Sequence, residues 1–183
     1  IASAAGQSTL RGGLAERFGV QMRTSSESRV SIAGGVARLG DSSVVTVDTL
    51  NMRVDSASVR ARGFTLVAPA MLRFMPGVNG TLGSLDSLVL QHTDTGRIAI
   101  RGGLAEGGAV NGRVDADRVA LADIGRLLRT TGLTRGTASA TMVLGGTREQ
   151  PRLDGQVDLR DAVAGRVRFG DLYAKANYDS LRL

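Results

Sequence analysis

The sequence predicts a mainly β protein, a long antiparallel meander of repeated hairpins curled into an open groove and interrupted by two short helices. Two observations predict the meander. Apolar and polar residues alternate with a period of two through most of the chain, and a Gly-Gly stretch recurs along it. A third, the number of strands this implies, bears on the groove. The stretch "LGGTREQPRLDGQVDLRD" at 144–161 matches "IRGGLAEGGAVNGRVDAD" at 100–117. An offset of 43 places Gly102-Gly103 on Gly145-Gly146, Gly112 on Gly155, and Val114-Asp115 on Val157-Asp158. A further copy, "RGGLAE" at 11–16, is identical to 101–106. Of the Gly-Gly pairs, those beginning at 12, 34, 102 and 145 have separations of 22, 68 and 43, which approximate one, three and two steps of about 22 residues. Glycine accepts positive φ, so the pairs read as hairpin turns. Each step then holds two strands of roughly nine residues.

Taken in order, Leu50, Met52 and Val54 alternate with Asn51, Arg53 and Asp55. In "LVAPAMLRFMPG" at 66–77, Pro69 is placed to open a short helix. Met71, Leu72 and Met75 follow at helical spacing, and Pro76-Gly77 ends it. Ile98 and Ile100 then oppose Arg97, Ala99 and Arg101. A second helix is predicted in "LADIGRLLRTTG" at 121–132, with Leu121, Ile124, Leu127 and Leu128 on one side, Arg126 and Arg129 on the other, and Gly132 as the stop. Ala138, Ala140, Met142 and Leu144 alternate with Thr137, Ser139, Thr141 and Val143. Leu153, Gly155, Val157 and Leu159 alternate with Asp154, Gln156, Asp158 and Arg160. Leu172, Ala174, Ala176 and Tyr178 alternate with Tyr173, Lys175 and Asn177. One face is apolar and the other wet, strand after strand.

Roughly 13 to 15 strands follow from this spacing, more than the ~10 that an open sheet tolerates without curling or splitting. Two short helices cannot cover so wide an apolar face. The sheet either folds over into a sandwich or curls into a trough whose lining stays available as a binding surface.

Composition narrows the function classes. The chain of 183 residues carries a net charge of +6, and its only lysine among 23 basic residues is Lys175. Its arginines are scattered singly, and four Phe and two Tyr with no Trp leave little for bases to stack on, so nucleic acid is not the expected partner. There is no cysteine, hence no disulfide or thiolate metal site. No apolar run is long enough to span a bilayer as a helix, and no signal peptide is visible. The chain reads as a fragment of a longer protein, one continuous segment over 1–183 with approximate units 1–56, 57–111 and 112–183.

No catalytic motif stands out. His92, the only histidine, has Asp94 and Asp86 as its near partners in sequence and reads as a hairpin-loop residue. Asp115 and Asp117 share a polar face with Arg113 and Arg118 and read as a solvated charge ladder rather than a metal pair. "GVNGTLG" at 77–83 has spaced glycines but no lysine, so it is not a phosphate loop. "NGT" at Asn79 is a glycosylation sequon of a kind that arises often by chance. Neither an enzyme, a cofactor nor a metal is expected.

The order of features over 112–183 resembles a known repeat. A strand, "GRVDADRVAL", is followed by a helix, "ADIGRLLRTTGL", and a strand, "RGTASATMVLGGT". "PRLDGQVDL" at 151–159 and "FGDLYAKANY" at 169–178 complete it. This resembles the repeating unit of the AsmA-like superfamily, most closely the TamB-type translocation and assembly proteins of diderm bacteria. The likeness is weaker over 57–111 and loose before that. The resemblance implies a twisted, taco-like β-groove in the periplasm, part of a protein anchored at the inner membrane. It would carry phospholipid towards the outer membrane and support outer-membrane protein assembly with a barrel partner. Phospholipid acyl chains would lie on Leu50, Met52, Val54, Ile98, Ile100, Ala138, Ala140, Met142, Leu144, Leu153, Val157, Leu159, Leu172, Ala174, Ala176 and Tyr178. The alternatives are a secreted structural or adhesive β-solenoid, against which the Gly-Gly hairpins and inserted helices argue, and a closed β-sandwich binding module.

Overall fold

The computed structural model describes residues 3–11, 15–23, 29–54, 62–78, 80–127, 132–147 and 149–179. Gly12, Gly13, Asp55, Asn79, Leu128, Arg129 and residues 180–183, all within stretches read above, lie outside them. Among the described residues twelve strands form one sheet. They are β1 (Ser3–Arg11), β2 (Ala15–Arg23), β3 (Arg29–Leu39), β4 (Ser42–Val54), β5 (Arg62–Leu66) and β6 (Ala70–Gly77). After these come β7 (Gly80–His92), β8 (Arg97–Leu104), β9 (Val110–Ala120), β10 (Leu133–Gly146), β11 (Pro151–Ala164) and β12 (Val167–Asp179). Every pairing is antiparallel between neighbours, as a meander requires. One α-helix, α1 (Leu121–Leu127), joins β9 to β10.

The first expected helix is a strand instead. β5 pairs with the far end of β4 and β6 with its near end, Ser43 to Val47, so the two occupy one position in the sheet, broken at 67–69. β7 flanks both on the other side. Met71, Leu72 and Met75 do stand at helical spacing, but a segment bordered by strands on both sides satisfies its backbone only as a strand, and tertiary pairing overrides a weak local preference. Pro69 has no N–H to give and sits in the break, where the ladder does not ask for one. The second helix is present over Leu121–Leu127, and the rest of its expected span up to 131 lies outside the described residues.

The expected strand number is also corrected. Strands such as β10 and β11 run 14 residues rather than roughly nine, so fewer fill the chain. The repeat itself corresponds to hairpins: its copies lie on β1–β2, β8–β9 and β10–β11. Two of the four Gly pairs are not turns, whereas Gly145-Gly146 ends β10, with φ of 85° at Gly146, and Gly12-Gly13 lies outside the described residues. Gly34-Gly35 lies inside β3 and Gly102-Gly103 inside β8. A Cβ on Gly34 would stand 2.0 Å from the Thr46 carbonyl oxygen, and one on Gly102 would stand 2.6 Å from that of Asn111. These glycines permit close approach of neighbouring strands.

Bulges gather at one end of the sheet. Arg118 in β9 and Asp161 in β11 have φ of 46° and 50°, and Gly136 in β10 and Gly170 in β12 have φ of 107° and 70°. Register shifts accompany them. Each bulge bends its strand and increases the local right-handed twist. The Arg118 N–H donates to Ser139 Oγ at 3.0 Å and the Asp161 N–H to Asp171 Oδ1 at 3.2 Å, so the freed amides are satisfied.

The molecule exposes 12615 Å². A compact protein of 19.0 kDa exposes roughly 8,400 Å². The core is correspondingly small. Phe64, Leu90 and Val119 form one buried cluster, with Leu50, Met52 and Ile98 against it, and Leu121, Ala138 and Ala162 form a second.

Candidate functional site

Antiparallel partners point to the same face, so the register traces which side chains stand together. Val36, Val45, Leu72, Leu85, Gly102, Gly112, Leu144, Leu153 and Tyr178 follow one another as partners from β3 to β12. From β3 to β12 that row carries no polar group but the Tyr178 hydroxyl, and its next member, on β2, is Glu16. A parallel row runs Leu66, Leu90, Ile98, Ala116, Ala140, Val157, Ala174. Between them lie Leu88, Ile100, Val114, Met142, Gly155 and Ala176. Leu159 partners Ala138 and Leu172, while Leu50 and Met52 partner Ile32 and Val30. The residues expected on the apolar side therefore do share a face. Val54 has their parity, opposite Arg62, at the end of β4.

The face divides in two. At the bulged end α1 lies over it: Leu121 is buried and Ile124 packs against both clusters. Towards β12 nothing among the described residues covers it. Met142 is 39% exposed, Leu172 43% and Tyr178 57%, whereas Phe64 under the helix end is 2% exposed. Beyond α1 a concavity of about 470 Å³ opens, walled by Leu72, Phe74, Leu85, Leu104, Met142 and Leu144. Gly102 and Gly112 form part of its floor. A Cβ on Gly112 would touch Leu144 Cβ at 3.4 Å, so the missing side chains are part of the hollow's depth. The side chains aimed into it are apolar, which suits hydrocarbon and provides no general acid, base or nucleophile.

His92 departs from its expected setting. It is the last residue of β7, buried, edge-on to Phe64 at 4.9 Å between ring centroids. Its partner is neither Asp94 nor Asp86 as a carboxylate: Nε2 lies 3.0 Å from Oδ2 of the fully buried Asp123 on α1. Nδ1 accepts the Asp94 N–H at 3.2 Å, which places the ring proton on Nε2, beside that carboxylate. The approach is off-line for a hydrogen bond, and neither atom has another partner, so the pair is held electrostatically in a dry site. Arg126 Nη1 donates to Asp123 Oδ1 at 3.2 Å. These three residues fasten the helix over the sheet. Asp123 carried no sequence signal beyond its place in the first turn of a predicted helix.

The opposite face is polar. Arg113 Nε donates to Asp115 at 2.7 Å and Thr141 Oγ1 donates to it at 3.1 Å. The hydrogen bond from Arg113 holds the Asp115 carboxyl below its ordinary range, and Asp115 in turn raises Arg113. Arg118 pairs with Asp117 at 3.2 Å. This is the charge ladder the sequence predicted. Among the described residues no group of His, Cys, Asp or Glu is arranged to hold a metal ion, and no helix is long and apolar enough to cross a membrane. No protein-family model, curated protein or solved structure matches this chain.

Proposed function

We propose that the chain is a segment of a periplasmic lipid-carrying bridge of the AsmA-like kind, its sheet curled into an open groove whose apolar face holds phospholipid acyl chains. The observation that carries this reading is the unbroken row from Val36 to Tyr178 on a face left uncovered towards β12. An apolar face that nothing in the fold covers is costly in water unless a ligand or partner covers it. A chain laying about ten methylenes into the hollow gains on the order of 8 kcal/mol from burial before the cost of ordering it. Bulges on four adjacent strands supply the curl, and the apolar side chains aimed into the hollow let a chain slide with little polar surface to desolvate. In the complete protein an inner-membrane anchor and an outer-membrane barrel partner would complete the bridge. No catalytic step belongs to this segment.

Native mass spectrometry of the purified chain, with extraction of whatever is bound, tests the reading. Copurifying phospholipid that is lost in Met142→Arg and Val157→Glu, with folding retained, is the expected result. A lipid-free chain that also fails to take up phospholipid from vesicles would overturn it.

A further inference from the structure

On the polar face, Arg101 of β8 stands directly opposite Arg113 of β9. Cross-strand partners have Cβ atoms about 5 Å apart, and like charges there repel. Arg113 is partly neutralised through Asp115. Arg101 has no hydrogen bond or ion pair among the described residues and reaches Asp115 only through its field. A sequence that keeps two guanidinium groups in register leaves a charge to be answered.

The surroundings form a hollow. Gly103 is the partner of Asn111 one step along the same face, so no side chain fills the space there. A polar cavity of about 410 Å³ results, lined by Asp86, Arg101, Asn111 and Arg113 over the backbone of Gly102 and Gly112. Asp86 is the one carboxylate among these, and Arg73 stands 3.9 Å from it. The Arg101 fork offers five N–H donors, Arg113 those that Asp115 leaves free, and Asn111 a side-chain amide.

We propose that Arg101, Arg113 and Asn111 form a binding site for a phosphate group on the outer face of the sheet. Two planar forks beside an amide donor match the several acceptor oxygens of a phosphate, and the arrangement favours bidentate contact. The site and the apolar hollow share Leu85, Arg101, Gly102, Asn111, Gly112 and Arg113 in their walls, and strand alternation turns the side chains of Arg101, Asn111 and Arg113 to the face opposite the apolar hollow. The phosphate is therefore not the headgroup of a chain lying in that hollow. The proposal stands or falls apart from the lipid reading. The phosphate source is either a free anion in solution or the headgroup of a lipid at a membrane surface.

The test is titration of the intact chain with inorganic phosphate, followed by arginine Nε and Asn111 amide resonances. Alongside it, flotation with phosphatidylcholine vesicles is compared with and without phosphatidylglycerol. Saturable shifts at Arg101, Arg113 and Asn111 in the millimolar range are expected, at least about tenfold weaker in Arg101→Gln and unchanged in Arg97→Gln. Arg101-dependent flotation only with phosphatidylglycerol identifies a headgroup source, and saturable phosphate shifts without it identify a free anion. Two outcomes overturn the site. One is the absence of any saturable shift together with vesicle binding indifferent to Arg101. The other is an equal loss in Arg97→Gln, which would reduce the effect to diffuse positive charge. Arg101 bonds to nothing among the described residues, so its substitution leaves a folded chain to measure.

Discussion

Asp123 is the residue on which α1 depends most. Removing its carboxylate leaves the buried His92 Nε2–H with no negative charge beside it and releases Arg126. Asp123→Ala is expected to cost about 1–3 kcal/mol in urea unfolding, far more than removal of an exposed aspartate such as Asp117. A loss within the scatter of surface substitutions would show that the buried pair contributes nothing. At Asp115 the folded carboxyl is depressed, first by the Arg113 hydrogen bond. Its stabilisation is therefore present above the ordinary aspartate range and is lost as pH falls through the depressed folded value. A carboxyl resonance titrating below the normal midpoint, and returning to it in Arg113→Gln, is the expected NMR result. The ladder was legible because its members are close in sequence. The His92–Asp123 contact was not, because a residue ending one strand and one on a helix 31 positions later meet only after β7, β8 and β9 have been laid side by side.

Elements were legible where their pattern agreed with their neighbours. The strict alternation of β11, half-buried at odd positions and exposed at even ones from Pro151 to Arg160, is what the sequence predicted. Ala70–Gly77 was misread because its three spaced apolar residues fit a helix locally, while the slot between β4 and β7 admits only a strand. Gly34-Gly35 and Gly102-Gly103 were misread as turns for a related reason: glycine serves turns and close backbone approach alike, and only the fold decides between them. Gly102→Val is therefore expected to destabilise by about 1–3 kcal/mol, although Gly102 is not in a turn. At the β9 bulge, Arg118 holds a positive φ that costs a non-glycine residue about 1 kcal/mol, so Arg118→Gly should raise the unfolding midpoint. A lower midpoint would mean that the Asp117 ion pair outweighs the backbone strain.

At the scale of the molecule, one sheet with a surface half as large again as that of a compact protein should scatter as an extended body. A radius of gyration well above the ~16 Å of a compact chain of this length is expected in X-ray scattering, and a value near 16 Å would mean that the sheet closes on itself in solution. The sequence by itself determined the mainly β class, the hairpin meander, the second helix and which residues share the apolar face. All of these follow from periodicity, which fixes side-chain direction before any long-range contact forms. Only the tertiary structure decided where the strands break, how far α1 reaches over the apolar face, and that Arg101 stands opposite Arg113. Register, bulges and buried partners depend on residues far apart in the chain, and their energies exist only once the strands are paired.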